Sequence, residues 1–190
     1  MIASSLPVRY RLDGGTPVIS VTQVLSLTGQ IDDAWFTPAS ARRGSLVHAL
    51  TEDIDAGRSF DAPDDVNGYL DAYRAFKETV RPDYIASELQ VTRADMNLGG
   101  TIDRVCANLF GASAILDFKT GPPYPWHPLQ LAAYRAMEPV ATRWACYLQP
   151  NGRYKLKQYD DPQDHAWFMY YLAQVHERGY QISDNAWVIR

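Results

Sequence analysis

Two carboxylates and an amine interrupt an otherwise apolar stretch in the middle of the chain, at Asp103, Asp117 and Lys119. The surrounding residues are mostly β-branched or large and apolar, which predicts two strands of a buried sheet joined by a turn at Gly111. Because strand side chains alternate between faces, Asp117 and Lys119 share one face, and a hairpin lets Asp103 reach it as well. Such charges are costly to bury unless they are compensated, and a divalent metal ion together with a phosphate would compensate them.

This set of groups suits phosphodiester hydrolysis. Two carboxylates about 4 Å apart repel each other by roughly 4 kcal/mol at an effective dielectric constant of about 20, and a divalent ion turns that repulsion into binding. Oxygen ligands favour hard cations such as Mg²⁺ or Mn²⁺, which lower the pKa of bound water and neutralise a phosphate. Lys119 is no ligand while it is protonated, but its ammonium can hold the attacking water or a phosphate oxygen and stabilise charge in the transition state.

The hydrophobic pattern of the flanking segments predicts the elements that position this hairpin. Before the central hairpin we expect a hairpin over residues 9–19, a short helix over 20–27 that begins with a capping box, a loop over 30–38, and helices over 39–57 and 64–80. A strand or strand pair over 83–93 leads into the central hairpin over 99–120. After it we expect a helix over 129–137, a hairpin over 140–160 and a helix over 162–178. Interleaved helices and strands without a repeat or a linker predict a single α/β or α+β domain. It divides into an N-terminal ribbon and short helix (residues 1–38), a motif-bearing core (39–138) and a C-terminal hairpin and helix (139–190).

Composition narrows the class of protein. The 190 residues suffice for one domain with a sizeable core. The net charge of −4 argues weakly against non-specific nucleic-acid binding without excluding an acidic metal site. Cys106 and Cys146 are too few for a disulfide framework or an iron–sulfur cluster and are expected as small core residues. No apolar run approaches the roughly 18 residues of a membrane span, and residues 1–15 lack the apolar core of a signal peptide, so we expect a cytoplasmic protein without membrane contact.

Four motifs occur in order along the chain. They are G-[ST]-x-x-H-x-x-x-E at residues 44–52, G-x-x-D-R at 100–104, D-[YFW]-K-T-G at 117–121 and Q-x-x-x-Y at 130–134. This order resembles the PD-(D/E)XK nuclease superfamily, and within it the RecB-like exonuclease branch with its phage-type members, over residues 17–138. The resemblance implies a restriction-endonuclease-like core, in which a central mixed β-sheet is flanked by α-helices. The proline of the superfamily name is absent, since Ile102 precedes Asp103, as is common in this branch.

The resemblance also implies a role for each matching residue. The metal ligands that it implies, for Mg²⁺ or Mn²⁺, are His48, Asp103, Asp117 and the backbone carbonyl of Phe118. Beside Asp103 and Asp117, the catalytic residues that it implies are Lys119 as the catalytic lysine, Gln130 to position that lysine or a phosphate, and Tyr134 to support Gln130. Glu52 and Glu88 are candidate acids for a second metal ion or for an outer layer of the site. The chain has no cysteine cluster for an iron–sulfur cluster and no G-x-x-x-x-G-K-[ST] motif of a helicase, which predicts the nuclease module alone.

Ordinary structural roles compete with several of these assignments. Asp117 and Lys119 taken alone fit an ion pair on an exposed strand, and His48 taken alone fits a hydrogen-bonded helix histidine. The motifs favour the functional role for these three residues. Glu52 and Glu88 fit a solvated face as well as they fit a site, and the sequence leaves them open.

Contacts to nucleic acid are expected beside the charged hairpin. Arg42 and Arg43, at the start of the helix that carries His48, are the candidate phosphate contacts, whereas Arg104 fits a phosphate contact and a carboxylate pair equally. The aromatic residues expected to stack on bases, because they lie in loops near the site, are Trp35, Phe36, Tyr124 and Trp126. Core positions are expected for Trp144, Tyr147, Trp167 and Tyr171, and structural or exposed positions for His127, His165 and His176.

These observations favour a metal-dependent DNA nuclease in DNA recombination, repair or phage DNA processing. We expect an exonuclease that uses metal-activated water without a covalent intermediate. DNA is the expected partner, while its strandedness, the choice of DNA over RNA, and a homo-oligomer or a recombination or helicase partner stay open. One alternative is a catalytically silent member of the fold that binds nucleic acid or protein, although such a binder gains nothing from carboxylates that repel phosphate. A hydrolase acting on another kind of substrate is the third option.

Overall fold

The computed structural model describes residues 5–32, 37–183 and 186–189 of the chain. Its strands are β1 (Ser5–Pro7), β2 (Tyr10–Arg11), β3 (Pro17–Ser20), β4 (Asp83–Arg93), β5 (Leu98–Leu109), β6 (Ala112–Lys119), β7 (Thr142–Leu148), β8 (Tyr154–Gln158), β9 (Tyr180–Ser183) and β10 (Ala186–Ile189). Its helices are α1 (Val21–Leu27), α2 (Pro38–Asp55), α3 (Asp64–Val80), α4 (His127–Met137) and α5 (Gln163–Glu177). In the part of the chain that is described, none of the helices has both the length and the apolar character needed to cross a bilayer.

A mixed sheet forms the centre of the molecule. Strand β4 runs antiparallel to β5 along most of its length, and the other edge of β5 pairs first with β3 in parallel and then with β6 antiparallel. The sheet continues with β7 parallel to β6 and β8 antiparallel to β7, while β2 pairs with β3. Helices α1, α4 and α5 pack on one face, and α2 and α3 pack on the other. The predicted α/β fold with a central mixed sheet flanked by helices is therefore confirmed.

Local chemistry explains where the helices begin and end. At the start of α1, the Ser20 hydroxyl accepts from the Gln23 amide and the Gln23 side chain accepts from the Ser20 amide, which is the predicted capping box. Helix α2 begins with proline after a Thr37 cap, and α3 ends at Arg81, which takes a left-handed conformation before a proline. Both long helices match their predicted spans within about two residues, the usual uncertainty of a helix boundary.

A second, smaller sheet was not predicted. It consists of β1, β10 and β9 in that order, and Leu6 of β1 pairs with Trp187 of β10. It joins the first and last described segments of the chain. Strands of three or four residues are too short to show an alternating pattern, and their pairing depends on a partner far away in the sequence.

The predicted core is confirmed with one exception. Cys106 and Cys146 are buried free thiols, and Tyr147 is buried in the core that faces α4. His127 is buried, whereas His165 and His176 are exposed, as expected. Trp144 and Tyr171 are half-buried. The prediction for Trp167 is wrong, because its side chain is 50% exposed beside an exposed Tyr170.

A buried ion pair ties α2 to β5. The side chain of Arg104 is fully buried, and its Nε donates to Asp55 Oδ2 at 3.0 Å. The Tyr73 hydroxyl and the Lys77 ammonium, both on α3, donate to the same carboxylate at 2.6 and 2.5 Å. Asp55 therefore connects two helices to the sheet, and its charge balances that of a guanidinium with no access to water.

We expect Asp55→Ala to lower the free energy of unfolding by about 3–5 kcal/mol, because it removes the nearest counter-charge of the buried Arg104 and leaves only Glu88, 3.7 Å away. Asp53→Ala is the control: it lies on the same helix and removes an ion pair with Arg58 whose side chains are more exposed. Its cost should not exceed about 1 kcal/mol. Urea denaturation followed by circular dichroism measures both losses. Equal losses would show that the buried pair contributes no more than a surface pair.

Candidate metal centre

The candidate site lies where β5 and β6 separate. The last paired residues of the two strands at this end are Arg104 and Leu116. One residue further along β5, the Asp103 carboxylate lies between the strands and accepts a hydrogen bond from the Phe118 amide at 2.7 Å. Asp103 and Asp117 are both buried. The two predicted acids are thus brought together inside the sheet, at a place where its regular hydrogen bonding stops.

His48 reaches this gap from α2. Its Nε2 lies 3.0 Å from the carbonyl oxygen of Phe118, and its Nδ1 lies 3.4 Å from Asp103 Oδ2 and 3.6 Å from Glu88 Oε1. The ligand atoms of His48, Glu88 and Asp103 all lie within 4.8 Å of one another. We call these three residues the acid–histidine group. Their spacing and donor atoms can hold a metal ion.

The structure brings Glu88 into the site, although the sequence left it open. Ser87 pairs with Arg104 and Leu89 pairs with Ile102, so Glu88 lies across from Asp103. Like charges opposite each other destabilise a sheet. Glu88 also has a φ of 46°, a left-handed conformation that is strained for a residue in a strand. Two unfavourable features at one residue point to a site and not to a solvated face.

Electrostatics in the gap show how closely the charges interact. Burial opposes the charged form of His48, but Asp103 and Glu88 outweigh burial and raise the pKa of the imidazole well above its usual value. Burial likewise opposes the ionised form of Asp103, but His48 and Lys119 hold the pKa of this carboxyl below its usual value. Burial, together with the Asp103 charge, raises the pKa of Asp117. The site therefore carries more negative charge than its own cations fully compensate.

Lys119 is held in one orientation. Its Nζ lies 2.5 Å from Asp117 Oδ2 and donates to Gln130 Oε1 at 2.7 Å. Gln130 in turn donates to the Tyr134 hydroxyl at 3.0 Å, so α4 supports the lysine through two of its residues. A Cβ atom on Gly100 would lie 2.8 Å from the Tyr134 ring, which explains a glycine there. The predicted contacts among Lys119, Gln130 and Tyr134 are present.

The residues of the gap fit a hard divalent cation. Buried carboxylate oxygens face the gap: Glu88 Oε1 lies 3.6 Å from His48 Nδ1 and 3.7 Å from Arg104 Nη1, and Asp117 Oδ2 is paired with Lys119. The ligand atoms of His48, Glu88 and Asp103, two carboxylate oxygens and one imidazole nitrogen within 4.8 Å of one another, are donors that suit such an ion.

Two predicted ligands lie outside the acid–histidine group. Asp117 borders the same gap, but one of its oxygens is occupied by the Lys119 ammonium. Glu52 is half-buried on α2 and is not a member of this group, so its role as an acid for a second metal ion or for an outer layer of the site stays a prediction. Four residues along a helix advance the chain by about 6 Å, which places Glu52 one turn beyond His48.

A cavity of about 300 Å³ opens beside this gap. Its lining residues include His48, Lys119, Arg43 and Tyr124. Arg43 and Tyr124 therefore lie where a substrate in contact with Lys119 would meet them. Arg42 is exposed and lines a separate surface pocket that it shares with Arg43.

Two predicted nucleic-acid contacts are corrected. Arg104 is fully buried and pairs with Asp55, so its guanidinium meets a carboxylate and no phosphate. Trp126 is only 8% exposed, and the Lys119 ammonium lies 5.0 Å from its ring centroid, so it supports the lysine instead of offering a free face to a base. The stacking predictions for Trp35 and Phe36 fall outside the described residues.

Three residues that the sequence did not predict as supports of the site are Arg104, Thr51 and Asp55. Arg104 also donates to the Asp103 carbonyl at 2.7 Å and to the Thr51 hydroxyl at 3.2 Å. The spacing of His48, Thr51 and Asp55 at three and four residues places them on one face of α2. This spacing on α2, together with an arginine next to the predicted ligand Asp103, could have predicted that α2 contacts Arg104.

Comparisons with known proteins add little to this geometry. No family model matches the chain, and no curated protein matches its sequence. Among solved structures, the chain is similar to one described as "Crystal structure of SSO0001", with a TM-score of 0.42 and 18% identity, over 85% of this chain and 76% of that one. A similarity at this level carries no conclusion about function.

His127, which lines the cavity, makes the stability of the protein depend on pH. Its Nδ1 accepts from the Tyr147 hydroxyl at 2.9 Å and from the Tyr124 amide at 3.3 Å. Burial, with the charges of Lys119 and Lys157, lowers the pKa of His127 to about 2. Between about pH 2 and pH 6.5, the unfolded chain binds a proton here that the folded protein excludes, so stability is lost as the pH falls below about 6.5 and is unaffected above it.

Between pH 7 and pH 5, the wild type should lose about 2 kcal/mol more stability than His127→Gln, which accepts the same hydrogen bonds without titrating. Urea denaturation at each pH measures the difference. His165→Gln, at an exposed position, should follow the wild type. A parallel decline in all three proteins would mean that His127 takes up its proton in the folded state.

Proposed function

We propose that this chain is a Mg²⁺- or Mn²⁺-dependent nuclease that hydrolyses phosphodiester bonds in DNA, an exonuclease of the RecB-like PD-(D/E)XK type. The observation that carries the proposal is the position of Lys119. Its ammonium is held between Asp117 and Gln130, next to the acid–histidine group and at the wall of a cavity. Hydrolysis of an anionic ester needs such an arrangement, in which metal ligands and a fixed cation face one space.

Each side chain has a separate task in this proposal. The acid–histidine group would hold a divalent ion, which would supply a bound water of lowered pKa and positive charge to offset that of the phosphate. Lys119 donates to a phosphate oxygen and stabilises the charge that develops there. Gln130 keeps the lysine directed at that position, and the Tyr134 hydroxyl holds Gln130. Asp117 supplies a further carboxylate at the border of the gap.

The buried acids favour an enzyme over a silent binding module. Glu88, Asp103 and Asp117 place three carboxylates around one gap. Like charges so close together inside the protein lower stability, and they repel the phosphates that a binding module must attract. A bound divalent cation would offset both the loss of stability and the repulsion. The buried free thiols Cys106 and Cys146 fit the proposed cytoplasmic location, where thiols stay reduced.

Cleavage assays on labelled DNA test this function. Linear and circular molecules, single- and double-stranded, are incubated with Mg²⁺, Mn²⁺ or EDTA, and RNA serves as a further substrate. We expect metal-dependent loss of linear DNA and survival of the circular form, since an exonuclease needs an end. Cleavage in EDTA, or no cleavage of any substrate, would refute the proposal. Cleavage of circles would correct exonuclease to endonuclease.

Two variants separate metal binding from catalysis. Lys119→Ala should lower kcat by roughly 10²–10³-fold, the usual cost of removing one group that stabilises the transition state. Mn²⁺ should still raise its melting temperature as much as it raises that of the wild type. Asp117→Asn should lose cleavage, and Mn²⁺ should raise its melting temperature less than that of the wild type, in which the effect corresponds to about 2.7 kcal/mol at 100 times the dissociation constant.

Differential scanning fluorimetry with and without Mn²⁺ measures these shifts. Asp61→Asn, an acid-to-amide change at an exposed position, is the control and should behave as the wild type. If Mn²⁺ shifts Asp117→Asn as much as the wild type, Asp117 is not a ligand. If Lys119→Ala cleaves at the normal rate, Lys119 is not a catalytic residue, and its position no longer supports the proposed function.

A further inference from the structure

Two cavities adjoin each other at the end of β6. The first, of about 300 Å³, has Lys119 in its wall, and the second measures about 370 Å³. Residues 120–122 line both cavities, and Gly121 and Pro122 are exposed. The cavities therefore lie on either side of one short exposed segment, over which an extended ligand can pass.

Basic side chains line both cavities. None of the described residues that line either cavity is acidic. Arg43 and Lys119 line the first cavity, and Lys155 lines the second. Lys155 is exposed and makes no hydrogen bond or ion pair within the described part of the chain. Lys119 is already paired with Asp117, so the further positive charge that these linings offer to a phosphate comes from Arg43 and Lys155.

The register of the sheet sets the distance between the two lysines. Lys119 of β6 pairs with Tyr147 of β7, and Tyr147 pairs with Lys155 of β8, so the three side chains share one face. Adjacent strands lie about 4.8 Å apart, which places the two lysine α-carbons about 10 Å apart. A nucleic-acid strand rises about 3.4 Å per nucleotide, so about three nucleotides span this distance.

We propose that the second cavity is a subsite for the nucleic-acid strand that is cut, in which Lys155 holds a phosphate about three nucleotides from the phosphate at Lys119. This inference rests on the proposed function and adds the path that the strand follows, over Gly121 and Pro122. Apolar surface for sugars and bases is available along it, because Pro122, Pro123 and Pro150 line the second cavity. The contact depends on a lysine and not on the metal centre, so it can be measured without metal.

Binding of a fluorescein-labelled oligothymidylate in EDTA, followed by anisotropy, tests the subsite without cleavage. Lys155→Ala should weaken binding several-fold. It should also reduce the slope of log K against log salt by about 0.7, the share of one phosphate contact on a single strand. The loss of affinity should become smaller for a dinucleotide, which is too short to reach from Lys119 to Lys155.

Lys157→Ala is the matched control. Lys157 lies two residues further along the same strand and on the same face. It does not line the second cavity, and its ammonium lies 4.5 Å from the Tyr159 ring centroid. This variant should keep the affinity and salt slope of the wild type. An unchanged slope in Lys155→Ala, or equal changes in both variants, would overturn the subsite, whereas the proposed function fails separately if the wild type cuts no nucleic acid with Mn²⁺.

Discussion

A single buried cation, Arg104, holds the site together. Its pair with Asp55 joins β5 to α2, and the same guanidinium donates to the carbonyl of Asp103. It also donates to the Thr51 hydroxyl, which in turn donates to the carbonyl of His48. Arg104 thus fixes the positions of His48 and Asp103, two members of the acid–histidine group, relative to each other. A guanidinium without access to water is tolerated only because its charge and donors find partners, so the packing of α2 on the sheet and the geometry of the site depend on the same contacts.

The charged side chains of the site lie at the point in this apolar sheet where the regular pairing of β5 with β6 stops. Beyond the pair of Arg104 and Leu116, the Asp103 carboxylate takes the place of a backbone acceptor for Phe118. On the other side of β5, Glu88 takes a left-handed conformation opposite Asp103. Both features lower the stability of a strand. The two hydrophobic cores on either face of the sheet supply the stability that allows such a site.

Negative and positive charge are separated over a short distance. The acid–histidine group collects carboxylates inside the sheet, while the two cavities collect Arg43, Lys119 and Lys155. Charges on a protein surface act over about 8–10 Å at ordinary ionic strength, so a ligand at the cavities meets this local arrangement more than the net charge of −4. The acidic composition is for this reason a poor guide to the partner of the site.

The sequence alone determined the features that depend on neighbouring residues. Helical and alternating periodicity predicted α2, α3 and the central hairpin, because these follow from the spacing of apolar residues within one segment. The family resemblance implied the mixed sheet and the contact between Lys119 and Gln130. Only the tertiary structure placed Glu88 beside His48 and Asp103, turned Arg104 inward to a carboxylate, and paired β1 with β10. Periodicity shows which residues share a face, but burial and partners are set by segments far away in the chain that pack against that face.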